Sequence, residues 1–303
     1  MRTNELKRKF SIVTTCKGRL AHLKQSLPAM LAQDGAEVVV VDYCCPERAG
    51  DWVESAFPSV QVVRADGEEG FSNWRARNLG AEVATGEILL FCDADTVLAP
   101  QALDTIAKTV PENAYGYFTR DSTAHFNKSG LRLGRNQLRG FQVVPTEAFR
   151  KLEGYDDVPI GWGAGGDTDL EERLVLLGLK PQTLGDGVVE EVFEHGNAAR
   201  IAFHKAPIRI SYASGLLYRR AKMALMRVRR STNLPRAERE KIYTLARRAA
   251  VRLARGESEA RIRLNIEAQP VGMPRQLGFA GGKCVVSINV ELDMHGPMPI
   301  PAR

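Results

Sequence analysis

The chain is poor in cysteine, has no long apolar run and shows no internal repeat. Its five cysteines are Cys16, Cys44, Cys45, Cys92 and Cys284. Their number is odd, their spacing fits no zinc pattern, and three lie in or beside apolar runs. Reduced thiols in a cytoplasmic protein are therefore expected, not a disulfide framework. Apolar runs are short, as at Val38-Val39-Val40-Val41, against the ~20 residues that a membrane-spanning helix needs. Met1 to Lys9 is basic, but no apolar segment follows, so no secretory signal is expected. The absence of repeats and low-complexity tracts excludes solenoids and linkers.

What remains is an ordinary globular composition, 44% apolar and 26% charged in 303 residues, enough for one or two domains. The net charge of +6 is unevenly spread. Lys205 to Arg263 holds 17 Lys and Arg against 4 Asp and Glu, so the rest of the chain is net acidic. A basic segment of this kind suits an anionic membrane surface or an anionic acceptor. It lacks the interleaved exposed aromatics and reading motifs of a nucleic-acid binder, so no nucleic acid is expected.

Strand-like and helix-like stretches alternate over the first 200 or so residues. Phe10–Thr15, Glu37–Val41, Val60–Val63 and Glu87–Cys92 read as strands. Arg19–Gln33 and Ser72–Thr85 read as helices. Such alternation predicts an α/β fold with a mostly parallel sheet covered on both faces. Ligands sit beyond the carboxyl ends of such strands. Three polar clusters fall there: Thr14 to Arg19, Asp42-Tyr43, and Asp93-Ala94-Asp95. Further on, Gly140–Val144 and Val188–Phe193 read as strands, Pro145–Leu152 as a short helix, and Asp167–Leu177 as a longer one. Ala206–Ala260 reads as mostly helical, and Lys283–Glu291 as one terminal strand.

Asp93-Ala94-Asp95 carries the strongest chemical signal. Two carboxylates at i and i+2, in a turn just past a buried strand, can converge on one hard cation. Such a cation, Mn²⁺ or Mg²⁺, can bridge the phosphates of a nucleoside diphosphate and neutralise charge on the leaving group. A second signal is Gly161-Trp162-Gly163 followed by Asp167 and Asp169. The glycines allow close backbone approach, and Trp162 offers a flat face for a sugar ring. A carboxylate at the start of the next helix could accept a proton from an acceptor hydroxyl. The plainer alternative is that Asp167 caps the helix, with Glu171 and Glu172 as first-turn acids.

Several blocks, in order over residues 9 to 205, resemble the GT-A fold glycosyltransferases. The resemblance is greatest to the bacterial family A and family 2 enzymes, and to the chondroitin-polymerase and β-1,4-galactosyltransferase types. The blocks are Ser11 to Arg19, Val41-Asp42, Phe71 to Gly80, Gly86-Glu87 through Asp95, Gly161 through Leu170, and Glu194 to Arg200. The resemblance implies a Rossmann-like GT-A domain, a UDP-sugar donor, Mn²⁺ and an inverting displacement. It implies that Asp95 and His195 bind metal, that Asp93 contacts ribose or metal, and that Asp167 or Asp169 is the base. It implies nucleotide contacts for Thr14, Thr15, Lys17, Arg19, Asp42, Arg75 and Arg77. Where related sequences carry Glu before the Asp of the later motif, this chain has Gly166. Asp121–Asn136 is the candidate lid.

The expected organisation is a GT-A domain over 1–205, with a nucleotide-binding half near 9–98 and an acceptor and metal half near 99–205. A basic, mainly helical extension follows over 206–303. The expected acceptor is a glycan or a lipid-linked glycan, with peripheral contact to the inner membrane face through 205–263. Two other readings exist. Asp93-Ala94-Asp95-Thr96-Val97 also fits the opening of a haloacid-dehalogenase-like phosphotransfer enzyme, and loss of the Glu would allow a non-catalytic scaffold.

Overall fold

A computed structural model of the chain describes residues 8–68, 70–119, 138–194, 196, 201–204, 206–268 and 284–293. The chain divides into two compact units, Met1–Asp157 with Gly166–Lys205, and Val158–Gly165 with Ala206–Arg303. The glycine-rich turn before Gly166 therefore groups with the C-terminal residues.

The first unit holds β1 (Phe10–Cys16), α1 (Leu20–Leu31), β2 (Ala36–Asp42), α2 (Ala49–Ala56), β3 (Gln61–Arg64), α3 (Asn73–Val83), β4 (Ile88–Phe91), β5 (Thr96–Leu98), α4 (Ala102–Thr109) and β6 (Ala114–Tyr117). It continues with β7 (Gln142–Pro145), α5 (Thr146–Lys151), α6 (Gly166–Leu177), β8 (Lys180–Thr183) and β9 (Val189–Val192). Seven strands form one sheet in the order β3-β2-β1-β4-β7-β6-β8. β1 runs parallel to β2 and β4, and β2 to β3. β7 runs antiparallel to β4 and β6, while β8 runs parallel to β6. The mostly parallel α/β architecture read from the alternation is the one observed.

Central parallel strands are buried on both faces and need apolar residues throughout. Every residue of β1 and β4 is buried, including Ser11, Thr14 and Thr15. On one side α1 packs Leu23, Leu27 and Met30 into the core, a helical spacing of one apolar stripe. On the other, α3 lies so close to the sheet that a Cβ on Gly80 would stand 2.5 Å from Val13 Cγ1 and 2.9 Å from Val41 Cγ2.

The topology positions the site. From β1 the sheet extends one way through β2 and β3 and the other way through β4, so the chain order reverses between β1 and β4. That is the crevice where open α/β sheets bind ligands. Val13 pairs with Phe91, which brings the loop after Cys16 and the Asp93-Ala94-Asp95 turn to the same edge. β5 leaves that turn and pairs antiparallel with β9 in a separate two-stranded sheet.

The second unit is built from α7 (Ile208–Arg229), α8 (Arg236–Ala254), β10 (Glu259–Ala268) and β11 (Cys284–Asp293). The rings of Tyr218 and Tyr243 meet edge-on at 5.6 Å between the two helices. α8 packs on β10 and α7 on β11. The region expected to be helical to Ala260 instead turns to strand at Glu259, and the terminal strand acquires a partner of equal length. The reason is visible in β10, where Ala260 and Ile262 are buried while Arg261 and Arg263 face solvent.

In an open helix, Gly80→Ala would stabilise by ~1 kcal/mol. Here the new methyl meets Val13 and Val41, and overpacking of that kind costs roughly 1–3 kcal/mol. Urea denaturation should therefore show Gly80→Ala less stable than the wild type, with Val13→Ala in the same chain recovering part of the loss.

Candidate active site

β4 ends at Phe91, and the chain turns at once. Thr96 N–H donates to the Asp93 carbonyl at 3.0 Å, closing a turn over Asp93-Ala94-Asp95-Thr96. The buried Ser26 hydroxyl on α1 holds the Ala94 carbonyl at 2.7 Å. Phe193, just past β9, donates its N–H to the Asp95 carbonyl at 2.8 Å. The backbone of the acidic turn is thus fixed at three points.

One carboxylate is fixed by a cation that the strand pattern did not reveal. Arg77, in the middle of α3, is 1% exposed. Its Nη2 donates to Asp93 Oδ1 at 2.7 Å and to the Gly140 carbonyl at 2.7 Å. Its Nη1 donates to Asp167 Oδ1 at 2.9 Å and to the Tyr155 hydroxyl at 3.0 Å. A buried cation is tolerated only when paired and hydrogen-bonded, and here both conditions hold. The next residue, Asn78, fixes the tyrosine by its backbone. Asn78 Nδ2 donates to the Tyr155 carbonyl at 2.9 Å, and Tyr155 N–H donates to Asn78 Oδ1 at 2.8 Å. Tyr155 itself packs between Phe91 and Phe149. A Cβ on Gly140 would collide with the Asp93 carboxylate and stand 2.7 Å from Arg77 Nη2, so a larger residue there would displace the pair.

Burial pushes the Asp167 carboxyl above the ordinary aspartate range, and the neighbouring Arg77 opposes that rise. The nearby Asp93 adds to it, so Asp167 holds its proton more tightly than a surface aspartate would. Asp167 lies in the first turn of α6, which begins at Gly166, and it spends its Oδ1 on Arg77 and not on a cap. Asp169 has a different environment. It is 4% exposed, and its Oδ2 accepts from Arg173 Nε at 2.8 Å. Arg173 in turn donates to the carbonyls of Leu152 and Gly154. That pair ties α6 to the end of α5.

The other expected nucleotide contacts separate into groups. The loop after β1 is covered by Phe203, whose ring lies where a Cβ on Gly18 would be, and Gly18 has φ +65°. The Lys17 ammonium is 5.6 Å from the ring centres of both Tyr43 and Phe203 and donates to the Glu68 carbonyl. Thr14 is fully buried within β1, while Thr15 donates to Asn73 Oδ1 at 3.0 Å. Arg19 stands just before α1. Asp42 braces its own loop: Cys45 N–H and Gly50 N–H donate to its two oxygens at 2.7 and 2.6 Å. Arg75 lies on the exposed side of α3 against Glu68. Trp162 is in the other unit, and 40% exposed. His195 and the Asp121–Asn136 lid candidate lie outside the described residues.

Residues 11–165 match the family described as Glycosyl transferase family 2, just over half of the chain. The chain belongs to glycosyl transferase family 2. That is a family of glycosyltransferases with the GT-A fold, and the sheet described above is that fold. An uncharacterized glycosyltransferase of Haemophilus influenzae is 30% identical over 106 residues, 34% of this chain and 35% of the relative. The aligned part thus spans about a third of that relative's length. Among solved structures, a mannosyltransferase of Pyrobaculum calidifontis in complex with GDP-Man and Mn²⁺ is similar at a TM-score of 0.52 and 16% identity, covering 84% of this chain and 77% of that one. Residues 1–349 of TarS from S. aureus, in complex with UDP-GlcNAc, are similar at a TM-score of 0.56 and 16% identity, covering 78% and 70%.

Within the family frame, Gly166 acquires a physical reason. A Cβ there would run into the Trp74 indole. Trp74 is buried on α3 and fills the space a larger residue at 166 would occupy. Sequence reasoning missed Tyr155, Gly140 and Trp74. The first two carry no local mark beyond small or aromatic character, and their meaning comes from what Arg77 requires.

Arg77→Met removes the guanidinium that joins Asp93 and Asp167. It should lower stability by on the order of 3 kcal/mol in chemical denaturation. Arg77 holds the Asp167 proton affinity down, so its removal should move the Asp167 titration to still higher pH, as read by carboxyl-carbon NMR. An unchanged titration would mean that the two groups are not coupled.

Proposed function

We propose that this protein transfers a sugar from a nucleotide diphosphate donor to an acceptor hydroxyl, with Asp93 and Asp95 holding a divalent cation and Asp167 acting as the base. The observation that carries this reading is the buried guanidinium of Arg77, which spans the first carboxylate of the acidic turn and the first-turn Asp167 carboxylate of α6. The leaving-group side and the proton-accepting side of a displacement are thereby held a fixed distance apart. Family membership supplies the reaction class.

The donor set suits Mn²⁺ or Mg²⁺. Asp93 and Asp95 offer hard oxygen ligands within one fixed turn, and the Asp93 side chain keeps 35% of its surface exposed while one oxygen is held by Arg77. Among the described residues no group of three or more His, Cys, Asp or Glu forms a closed cage. By the resemblance His195, two positions past the Phe193 that bonds Asp95, would join Asp93 and Asp95 in holding the cation. When bound, the cation would offset negative charge on the departing diphosphate.

The chain's own groups do the rest. Asp167, made more basic by burial, takes the acceptor's proton as its oxygen attacks the anomeric carbon from the face opposite the leaving group. Asp169 is bound into the Arg173 pair, so it serves α6 and leaves the base role to Asp167. Arg77 orients Asp167 and Asp93 together. The donor is read as a UDP-sugar from the resemblance of the β1 loop, and the UDP-GlcNAc complex of the S. aureus neighbour supports a nucleotide-sugar in this fold. Trp162, exposed, is the candidate platform for a sugar ring. A haloacid-dehalogenase-like reading has no support, since the matched family is a glycosyltransferase family and β1, β2 and β3 precede the acidic turn.

The acceptor is read as a glycan or lipid-linked glycan reached at an anionic membrane surface. Among the described residues no helix is long and apolar enough to cross a membrane. Arg236, Lys241, Arg247, Arg248, Arg252 and Arg255 lie on the exposed side of α8, with Glu240 and Glu257 as nearby acids. Adsorption by charge, at about 1 kcal/mol per basic residue close to the surface, suits such a face.

UDP release from a panel of UDP-sugars should require Mn²⁺ or Mg²⁺, stop in EDTA and resume on adding the ion back. Asp167→Asn should lower kcat by about 10²–10⁴ while UDP still protects the protein against heating. Turnover that persists in EDTA would overturn the cation site. In flotation with liposomes, vesicles rich in phosphatidylglycerol should carry the protein at low salt and release it at high salt. Equal recovery with neutral vesicles would remove the membrane reading.

A further inference from the structure

β1 ends at Cys16, which pairs in register with Asp42 at the end of β2. Three residues on, the chain returns to the same place. Tyr43 N–H donates to the Cys16 carbonyl at 3.1 Å, and Cys45 N–H donates to Asp42 Oδ1 at 2.7 Å. These bonds fix the two backbones beside each other, and each thiol is the strongest influence on the proton affinity of the other. The Cys45 sulfur also accepts from Gly18 N–H at 3.2 Å. Cys16 is fully buried and Cys45 is 7% exposed, whereas the adjacent Cys44 turns outward from a left-handed backbone with φ 49°.

We propose that Cys16 and Cys45 form a modification site for hydroperoxides, at which peroxide converts the dithiol to a reversible disulfide that ties the end of β1 to the loop after β2. Neither sulfur has a part in the displacement; both lie in the hydrophobic core, and the Cys45 sulfur accepts an N–H in addition. A buried thiol serving only as an apolar filler does not gather N–H donors.

The surroundings favour Cys45 as the attacking sulfur. The Cys16 thiol and the N–H groups of Gly18, Glu47 and Ala49 stabilise a negative sulfur, against the opposing effect of burial, and bring Cys45 down to about 6. The Cys16 thiol is pushed up, first by Cys45 and then by burial, so it keeps its proton. One thiolate and one thiol beside each other are the reactive state of a dithiol. Cys45 attacks one oxygen of the peroxide, the O–O bond breaks, and hydroxide leaves to take up a proton as water. The Cys16 sulfur then attacks the sulfenic acid on Cys45. The S–O bond breaks, and the second hydroxide takes the Cys16 proton. Two thiols lose two electrons, and one peroxide becomes two waters. The product replaces the acceptor that held Gly18 N–H, in the turn that Phe203 covers. Its effect on donor binding rests on the function proposed above; the chemistry at the sulfurs does not.

The experiment treats the full chain with hydrogen peroxide, blocks remaining thiols with iodoacetamide after denaturation, and maps peptides by mass spectrometry. The expected result is loss of two of the five thiols, a linked peptide pair containing Cys16 and Cys45, and full recovery with dithiothreitol. Cys45→Ala and Cys16→Ala should each abolish the link, and Cys44→Ala should leave it intact. A Cys44–Cys45 link, a sulfinic acid on Cys45 with Cys16 still alkylated, or no loss of thiol at all would each overturn the proposal. Where the link forms, UDP binding of the oxidised chain should fall and return on reduction. Unaltered UDP binding with the link present would confine the site to modification and remove its effect on the donor. Absence of UDP binding even in the reduced chain would instead count against the proposed function.

Discussion

A guanidinium without water around it dictates the arrangement of this site. Isolating a charge such as that of Arg77 costs several kcal/mol unless its hydrogen-bonding groups find partners. The chain supplies two carboxylates, a phenol and a carbonyl, each from a different part of the fold: the turn after β4, the first turn of α6, the loop after α5, and the approach to β7. Four segments distant in sequence are thereby registered on one helix. Asn78 adds a fifth restraint by gripping the Tyr155 backbone. The same ion accounts for the character of Asp167. Burial raises its proton affinity, Arg77 restrains the rise, and the balance leaves a carboxylate more basic than its surface counterparts.

Around that ion, the sheet order provides location and the turns provide rigidity. β1 and β4 are neighbours while the chain leaves them in opposite directions, which opens a crevice at their carboxyl ends. The acidic turn sits in that crevice, its backbone held by the Ser26 hydroxyl and by the Thr96 and Phe193 amides. For the cation site proposed above, a segment ordered in this way before binding would lose little on taking up its ligand.

Much of the architecture could be read from the chain because its parallel strands are nearly continuous apolar runs. Phe10–Cys16, Ala36–Asp42 and Ile88–Phe91 all end in or next to polar residues, so the crevice was visible as order along the sequence. Short elements were not. β6 has Gly116 at its centre and β8 contains Pro181, and both are strands only because neighbours pair with them. β10 was obscured by arginines, although Ala260, Ile262, Leu264 and Ile266 alternate along it. At the site, the acidic pair was legible because i, i+2 spacing past a strand has a direct chemical reading. Arg77 was legible as a residue of interest but not in its role, since a helix position does not say what a side chain meets 90 residues later. Asp42, at a strand end, looked like a ligand-facing acid. Its two oxygens hold two backbone amides of its own loop, a use that depends on turn geometry invisible in the residue type.

The packing of Trp74 against Gly166 makes two distant positions a single unit of variation. Restoring an acid at 166 alone would drive its side chain into the indole, and shrinking 74 alone would leave a void beside α6. Each change carries its own packing cost unless the other accompanies it. A library that varies 166 alone will therefore meet the indole first, and one that varies 74 and 166 together reaches side chains that neither position admits by itself.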